Sequence, residues 1–400
     1  MNIAVYHNLP SGGARRALHE MVRGLTARGH VVDEFCPQTA DRTFLPLAEC
    51  VHRTVTLPFQ PRGAFPGRVP LLTPYINALR LTVDLFHLAR VGRLAAQAID
   101  EGAYDVAFVH DCQLAQNPDV LRFLATPSVY YCHHGARSRL PRGPDGVSGL
   151  WQRARSAYYA VPKRFYPWLR ERRATRNIRH ADLVLTNSYF AREGLFRIYG
   201  VDSRVCYLGV DTVRFRPLRG DREPFLLSVG SVAYIKGYRF LIKALGRLPP
   251  DQRMPLVIAA NSSRLAERQL IEELAREEGV DLSVRCVMDD EKLVALYNRA
   301  SAFVYTPIME PLGLAVLEAM ACGAPVVAVR EGGLRETVLS GHTGLLVDRD
   351  VEAFASALSR MLTNKSHAEK MGRTAVEIAH SLWRWDQTCD RLESQLEVIL

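Results

Sequence analysis

No Cys-x-x-Cys pair occurs in this sequence: its eight cysteines stand singly at positions 36, 50, 112, 132, 206, 286, 322 and 389. That spacing argues against paired-ligand zinc modules and a disulfide framework, and predicts reduced, mostly buried thiols. No run of about 18 apolar residues free of charge is present, so no membrane-spanning helix is expected. The pattern Gly-x-Gly-x-x-Gly is also missing. Gly13 is followed by Ala14-Arg15-Arg16, which argues against a nicotinamide or flavin site at the first turn. The first apolar run, Ile3–Tyr6, reads as a strand with no basic segment before it, so a signal peptide is not expected and the anticipated location is cytoplasmic. Acid is scarce in one place: residues 137–179 hold twelve Arg or Lys against Asp145 and Glu171, in a chain of net charge +9. The remainder is close to neutral, and a partner for the positive charge is to be sought at that segment.

What is present is an alternation of strand-like and helix-like stretches. Ile3–Tyr6, Val31–Phe35, Val106–Val109, Val129–Cys132 and Leu183–Thr186 read as strands, with helical periodicity over 14–28, over 76–100 and from Tyr189. Residues 37–73 are Pro-rich and read as irregular. Around GVDTVRFRPLRGDREP (209–224) the periodicity lapses, as in an interdomain linker. It restarts with strands at Phe225–Val229, Leu256–Ala260, Leu282–Val287, Ala302–Tyr305 and Val326–Val329, interleaved with helices. The expected class is α/β, with two open domains over 1–212 and 213–380 facing each other across a cleft, and a helical tail over 381–400. In such sheets ligands sit beyond the carboxyl ends of the strands.

The residues able to do chemistry fall at those ends. Gly12-Gly13 follows the first strand and starts a helix; this is either an anion-binding turn or simply a tight strand–helix connection. Gly230 and Ser231 follow Phe225–Val229, and Lys236 opens the next helix, where it either pairs with a diphosphate or is a surface lysine. His110 with Asp111, and His133-His134, each follow a strand, a position from which imidazoles reach sugar hydroxyls. No third ligand stands near either pair in sequence at metal spacing, so zinc is not expected. Asp348-Arg349-Asp350 mimics an acid pair but precedes a helix, and capping by Asp explains it. In MEPLGLAVLEAMACGAPVVAV (309–329), Glu310 precedes a helix that starts near Gly313, and Glu318 lies about two turns in. Glu318 either faces a second part of the same ligand or is a solvated helix residue.

EPLGLAVLEAMACGAPVVAVREGGLRETV, with HTGLLV beyond it, resembles the signature of retaining GT-B glycosyltransferases of family GT4. That signature has two Glu separated by seven residues, a Cys/Gly turn, a Pro-initiated strand, Gly-Gly and a further Glu. The likeness extends through GGARRALHEMVRGLTARGHVV, ADLVLTNSYF, YLGVDTVRFRP and SVGSVAYIKG, leaving out about 37–75 and 136–175. It implies two Rossmann-like domains and transfer of a sugar from a nucleotide-diphosphate sugar to a glycan or lipid-linked acceptor, with retention and without a metal ion or other cofactor. The first domain would take the acceptor, the second the donor, and the terminal helix would cross back to the first. By the same resemblance Glu310 would bind hydroxyls of the transferred sugar and Glu318 the ribose. Backbone amides of Leu312, Gly313 and Leu314 would face sugar and diphosphate, Lys236 would neutralise the diphosphate, and Gly12 and Gly13 would approach it from the other domain. His133 would stand beside the reacting sugar, with His110, His134 and Ser188 on the acceptor side.

One position departs from the family pattern: Ser231 stands where an arginine usually follows the strand-end glycine. Arg15, Arg16 and Arg239 are candidate substitutes, and a non-catalytic or partner-dependent subunit is the alternative function. YYCHHG resembles a Cys-His motif of some mannosyltransferases, which implies GDP-mannose as donor, with a UDP-sugar as the other option. In 137–179 the basic residues interleave with Trp151, Tyr158, Tyr159, Phe165, Tyr166 and Trp168. This suggests peripheral attachment to the anionic inner face of a membrane, a solvated helix face being the alternative. No nucleic-acid module is recognisable.

Overall fold

The computed structural model describes the chain except residues 66, 68, 70, 71, 136–159, 287 and 288, and of 160–163 it describes the backbone only. Two compact units emerge. The first comprises Met1–Thr186, Arg192–Cys206 and Arg391–Leu400; the second comprises Asn187–Ala191 and Tyr207–Asp390.

The first unit is built on seven parallel strands in the order β3-β2-β1-β4-β5-β6-β7, spanning Asn2–Asn8 (β1), Val31–Pro37 (β2), Arg53–Leu57 (β3), Val106–Cys112 (β4), Ser128–Cys132 (β5), Leu183–Thr186 (β6) and Arg204–Val205 (β7). β1 and β4 are buried along most or all of their length, as strands covered on both faces require, so they read as near-continuous apolar runs. The helix Gly13–Ala27 (α1) packs Leu18, Met21, Val22 and Leu25 inward at helical spacing. Strand order reverses between β1 and β4. The long helix Thr73–Asp100 (α2) leads into β4, and the helix Ala160–Ile178 (α3) into β6.

The second unit is a six-stranded parallel sheet, β10-β9-β8-β11-β12-β13, from Glu223–Val229 (β8), Leu256–Ala260 (β9), Leu282–Cys286 (β10), Ala300–Tyr305 (β11), Val326–Val329 (β12) and Leu345–Val347 (β13). Its order reverses between β8 and β11. Both units are thus doubly wound, and each has one point where neighbouring strands send their connections to opposite faces. A crevice forms there beyond the strand ends.

Three features add detail to the sequence reading or depart from it. Arg53–Leu57 pairs with Asp33–Pro37 in parallel register inside the stretch read as irregular, with Leu57 buried. Its Thr-Val-Thr alternation is a strand signal that the surrounding prolines obscured. The basic segment is a helix from Ala160, with Pro167 inside it; its remainder, 137–159, lies outside the described residues. The units divide at 206/207, and Asn187–Ala191 groups with the second. The Ser188 hydroxyl donates to the Pro311 carbonyl, and the amides of Tyr189 and Phe190 donate to Glu336. The chain's final residues belong to the first unit, where Glu393 lies 2.7 Å from His30 Nε2.

Candidate active site

In the second unit the reversal point gathers Gly230, Ser231, Lys236, Glu310 and the start of the helix Leu314–Ala321. The turn after β8 holds Lys236 at its end and Gly237 in a left-handed conformation (φ +71°); a Cβ there would lie 1.9 Å from the Thr306 carbonyl oxygen. The two loops therefore touch backbone to backbone, and only glycine permits it. That contact lets Lys236 Nζ donate to Glu310 Oε2 at 3.1 Å, and Nζ also lies 3.4 Å from the Tyr305 hydroxyl. Gly313, at φ +93°, starts the helix against Leu334, to which a Cβ would come within 2.6 Å. The first amides of that helix have no acceptor four residues back and point outward, the arrangement that attracts anions.

Glu318 is not a solvated helix residue. It is buried, and its Oε2 accepts from the Tyr297 hydroxyl at 2.9 Å. Burial beside this carboxylate raises the Tyr297 phenol well above its ordinary value, so Tyr297 is a permanent donor. Ser231 is half-buried. The proposed cationic substitutes are engaged elsewhere. Arg239 forms a two-point pair with Glu267 at 2.6 and 3.0 Å, Arg15 is fully buried beside His7 and Glu34, and Arg16 lies over the Phe44 ring.

In the first unit, parallel pairing of β4 with β5 brings His110 and Asp111 beside His133 and His134. His110 Nδ1 and His133 Nε2 are 2.9 Å apart, and their rings stack at 5.1 Å. Burial pushes both imidazoles down, His133 to about 4, so each is neutral at pH 7. His134 is opposite in character: the Cys132 thiol and the Asp111 carboxylate 3.0 Å from its Nδ1 outweigh burial and raise it well above its usual value. Asp111 is held in turn by the Tyr130 hydroxyl at 2.6 Å and the His133 amide at 3.1 Å. One histidine of the tandem pair is thus neutral and its neighbour cationic. Gly12, at φ +134°, precedes α1 at the end of β1, close in the chain to His7, which lies 2.8 Å from Glu34.

Sequence reasoning missed Tyr297, Tyr130 and the His7–Glu34–Arg15 cluster, because each meets its partner only through strand pairing or helix packing. It also missed that Cys132 and Asp111 bring candidate ligand atoms within 4.8 Å of His134, as Glu34 and Cys36 do with His7. Hydrogen bonds within both groups already use the same nitrogens.

Comparison with known proteins places the chain in a class. Residues 11–214 match the family model for glycosyltransferase family 4, and residues 210–377 match that for glycosyl transferases group 1. The chain belongs to this family and is a glycosyltransferase of GT-B architecture. The glycogen synthase of Mycobacterium tuberculosis (strain CDC 1551 / Oshkosh) is 30% identical over 94% of this chain and 88% of its own. D-inositol 3-phosphate glycosyltransferase 2 of Catenulispora acidiphila is 35% identical over 52% of this chain, a match spanning about half (54%) of that relative's length. Among solved structures, sucrose-phosphate synthase from Thermosynechococcus elongatus superposes with a TM-score of 0.73 at 21% identity, covering 99% of this chain and 98% of that one. Anabaena HepE in complex with UDP-glucose gives 0.72 at 17% identity with full coverage of both. At these identities the two structures show the fold alone.

Proposed function

We propose that this glycosyltransferase moves a sugar from a nucleoside diphosphate to a hydroxyl of a glycan or lipid-linked acceptor, with retention of configuration and without a metal ion. The observation that carries this reading is the Lys236–Glu310 pair, 3.1 Å apart at the reversal point and in sequence just before a helix N-terminus. A ligand with both phosphates and hydroxyls gives each charge its own partner. Lys236 and the helix amides take the diphosphate, Glu310 takes hydroxyls of the transferred sugar, and Glu318, steadied by Tyr297, takes the ribose. Carboxylates beside an anion site are tolerable because they bind the neutral ends of the same molecule.

In this reading the acceptor oxygen attacks the anomeric carbon on the face from which the diphosphate departs. The C–O bond breaks with its electron pair going to the phosphate, and a phosphate oxygen takes the acceptor's proton. Positive charge builds on the sugar ring, so the enzyme's contribution is positioning and electrostatic stabilisation. On the family resemblance His133 takes the place beside that ring: neutral at pH 7, it can donate a hydrogen bond without adding a second positive charge, and His110 and Asp111 hold it through its Nε2 and its backbone amide. Ser188, buried and bonded to Pro311, supports the loop that carries Glu310.

The donor is a UDP-sugar or GDP-mannose; HepE, with UDP-glucose, supports the first and the Cys132-His133 sequence the second. A thermal-shift panel of UDP, GDP, UDP-glucose and GDP-mannose decides between them. NMR of the product anomer tests retention, and turnover in EDTA tests metal independence. Silence of the whole panel would favour a non-catalytic subunit, the reading that Ser231 raises. The exposed face of α3 carries Phe165 (48% exposed) and Trp168 (51%) among Arg164, Arg172 and Arg176, which suits an anionic bilayer surface. Co-sedimentation with liposomes that does not respond to anionic lipid content would count against that contact.

A further inference from the structure

The loop Thr306–Pro311 joins β11 to the helix Leu314–Ala321 and carries Glu310. Its backbone is not relaxed: Met309, immediately before Glu310, has φ +49°, a left-handed conformation that costs a residue with a Cβ. Such a conformation persists only where the surroundings over-determine it. Here the surroundings centre on one guanidinium. Arg349 donates from Nε and Nη2 to the two oxygens of Glu331 at 2.6 and 2.9 Å, and from Nη1 and Nη2 to the carbonyls of Thr306 and Pro307 at 3.1 and 2.8 Å. Its plane lies over the Phe240 ring at 5.1 Å. The Glu331 carboxylate also lies 3.4 Å from the Met309 amide.

The same place ties in the other half of the site. The Ile308 amide donates to the Ile235 carbonyl at 2.8 Å, and the Thr306 hydroxyl to the Gly237 carbonyl at 3.2 Å. The loop carrying Lys236 and the loop carrying Glu310 are therefore joined directly above the carbonyls that Arg349 holds. On the far side, the Gly333 amide donates to the Glu310 carbonyl at 2.8 Å.

We propose that Arg349 and Glu331 form a clamp that fixes the Thr306–Pro311 loop in its strained form and thereby sets the position of Glu310 relative to Lys236. Both are positioning residues: the guanidinium spends four N–H bonds on Glu331 and the two carbonyls and leaves ligand contact to Glu310. Lysine at 349 keeps the charge but cannot span a carboxylate and two carbonyls in one plane. The consequence for catalysis rests on the role given above to Glu310; the consequence for the loop does not.

The test uses the full chain with Arg349→Ala, Arg349→Lys and Glu310→Gln. Hydrogen–deuterium exchange reads the loop directly. Arg349→Ala should speed exchange in the peptide spanning 306–313 about tenfold or more, with exchange in the strands of the second unit unchanged. Arg349→Lys should fall between it and the wild type, and it stands in should the alanine variant not fold. Unchanged exchange over 306–313 in both variants overturns the clamp. Release of UDP or GDP from UDP-glucose and GDP-mannose reads the catalytic consequence. Arg349→Ala should lower kcat roughly 10- to 100-fold with the donor KM within about threefold, as misplacement of a reacting group does. Millimolar guanidinium should restore part of the rate. Full kcat in Arg349→Ala beside an inactive Glu310→Gln overturns the positioning role. Full kcat in Glu310→Gln overturns the assignment of Glu310 instead and leaves the clamp to the exchange result.

Discussion

The two units use the same device, a parallel sheet whose order reverses, and furnish it in opposite ways. In the first, the chemistry-bearing groups sit at and just beyond strand ends in a desolvated cluster where burial sets their state: His110 and His133 neutral, His134 charged through Asp111 and Cys132. In the second, they sit on loops where contacts set their place: Lys236 and Glu310 held to each other, with Arg349 underneath. A group governed by burial is sensitive to pH and insensitive to remote substitution. A group governed by loop geometry is the reverse.

The largest expected effect comes from removing charge where the second unit concentrates it. Glu310→Gln should lower turnover roughly 100- to 1000-fold, the usual cost of deleting one transition-state partner, while donor affinity stays within about threefold. Single-turnover and equilibrium binding measurements separate the two. Glu318→Gln should do the converse, raising the donor Kd roughly 10- to 100-fold, since a hydrogen bond to a charged group is worth about 1.5–3 kcal/mol, with turnover at saturation little changed. If both variants damage the same step, the division of labour between the two carboxylates is wrong.

The pH prediction bears on the first unit. His7, His110 and His133 are pushed down by burial, so their contribution to stability is complete above the unfolded value of 6.5. It is lost as pH falls from there toward about 4, the value for His133. His134, raised, contributes in the opposite sense: its share is present below 6.5 and lost as pH rises through its higher value. Three groups outweigh one between pH 7 and 5, and the melting temperature should fall by about 5 °C over that interval. The second unit's histidines, His342, His367 and His380, are exposed, so calorimetry should show the first unit melting earlier in acid. Coincident melting at pH 5 would break the contrast. The smallest effect is a gain: Ser231→Arg should raise kcat/KM about threefold through one more charged phosphate contact.

Much of the architecture was legible. Parallel strands buried on both faces are apolar over most of their length, which marked β1, β4, β9, β11 and β12, and α1 showed its inward face at helical spacing. β3 was not legible because prolines around it broke the local pattern. α3 was not because its run of arginines hid the few inward positions, Ala174 and Ile178, that dock it. Glu310, Glu318 and Lys236 stood out through the resemblance to family GT4; by residue type alone Lys236 also read as a surface lysine and Glu318 as a solvated helix residue. Asp350 caps its helix as its spacing suggested, accepting from the Ala353 amide. Its neighbour Arg349 looked like part of the same turn, and nothing local distinguished it.

By itself the sequence determined the family, the two α/β units and which residue types stand at the strand ends, because those depend on periodicity and on short-range motifs. Only the tertiary structure decided the partners: Tyr297 for Glu318, Asp111 for His134, Arg349 and Glu331 for the loop of Glu310. The physical reason is separation along the chain. A hydrogen bond between positions 306 and 349 leaves no local trace in either stretch, and the protonation of a histidine depends on what packs around it. Position along the strand is written in the sequence, whereas charge state and loop geometry are set when the strands and loops come together.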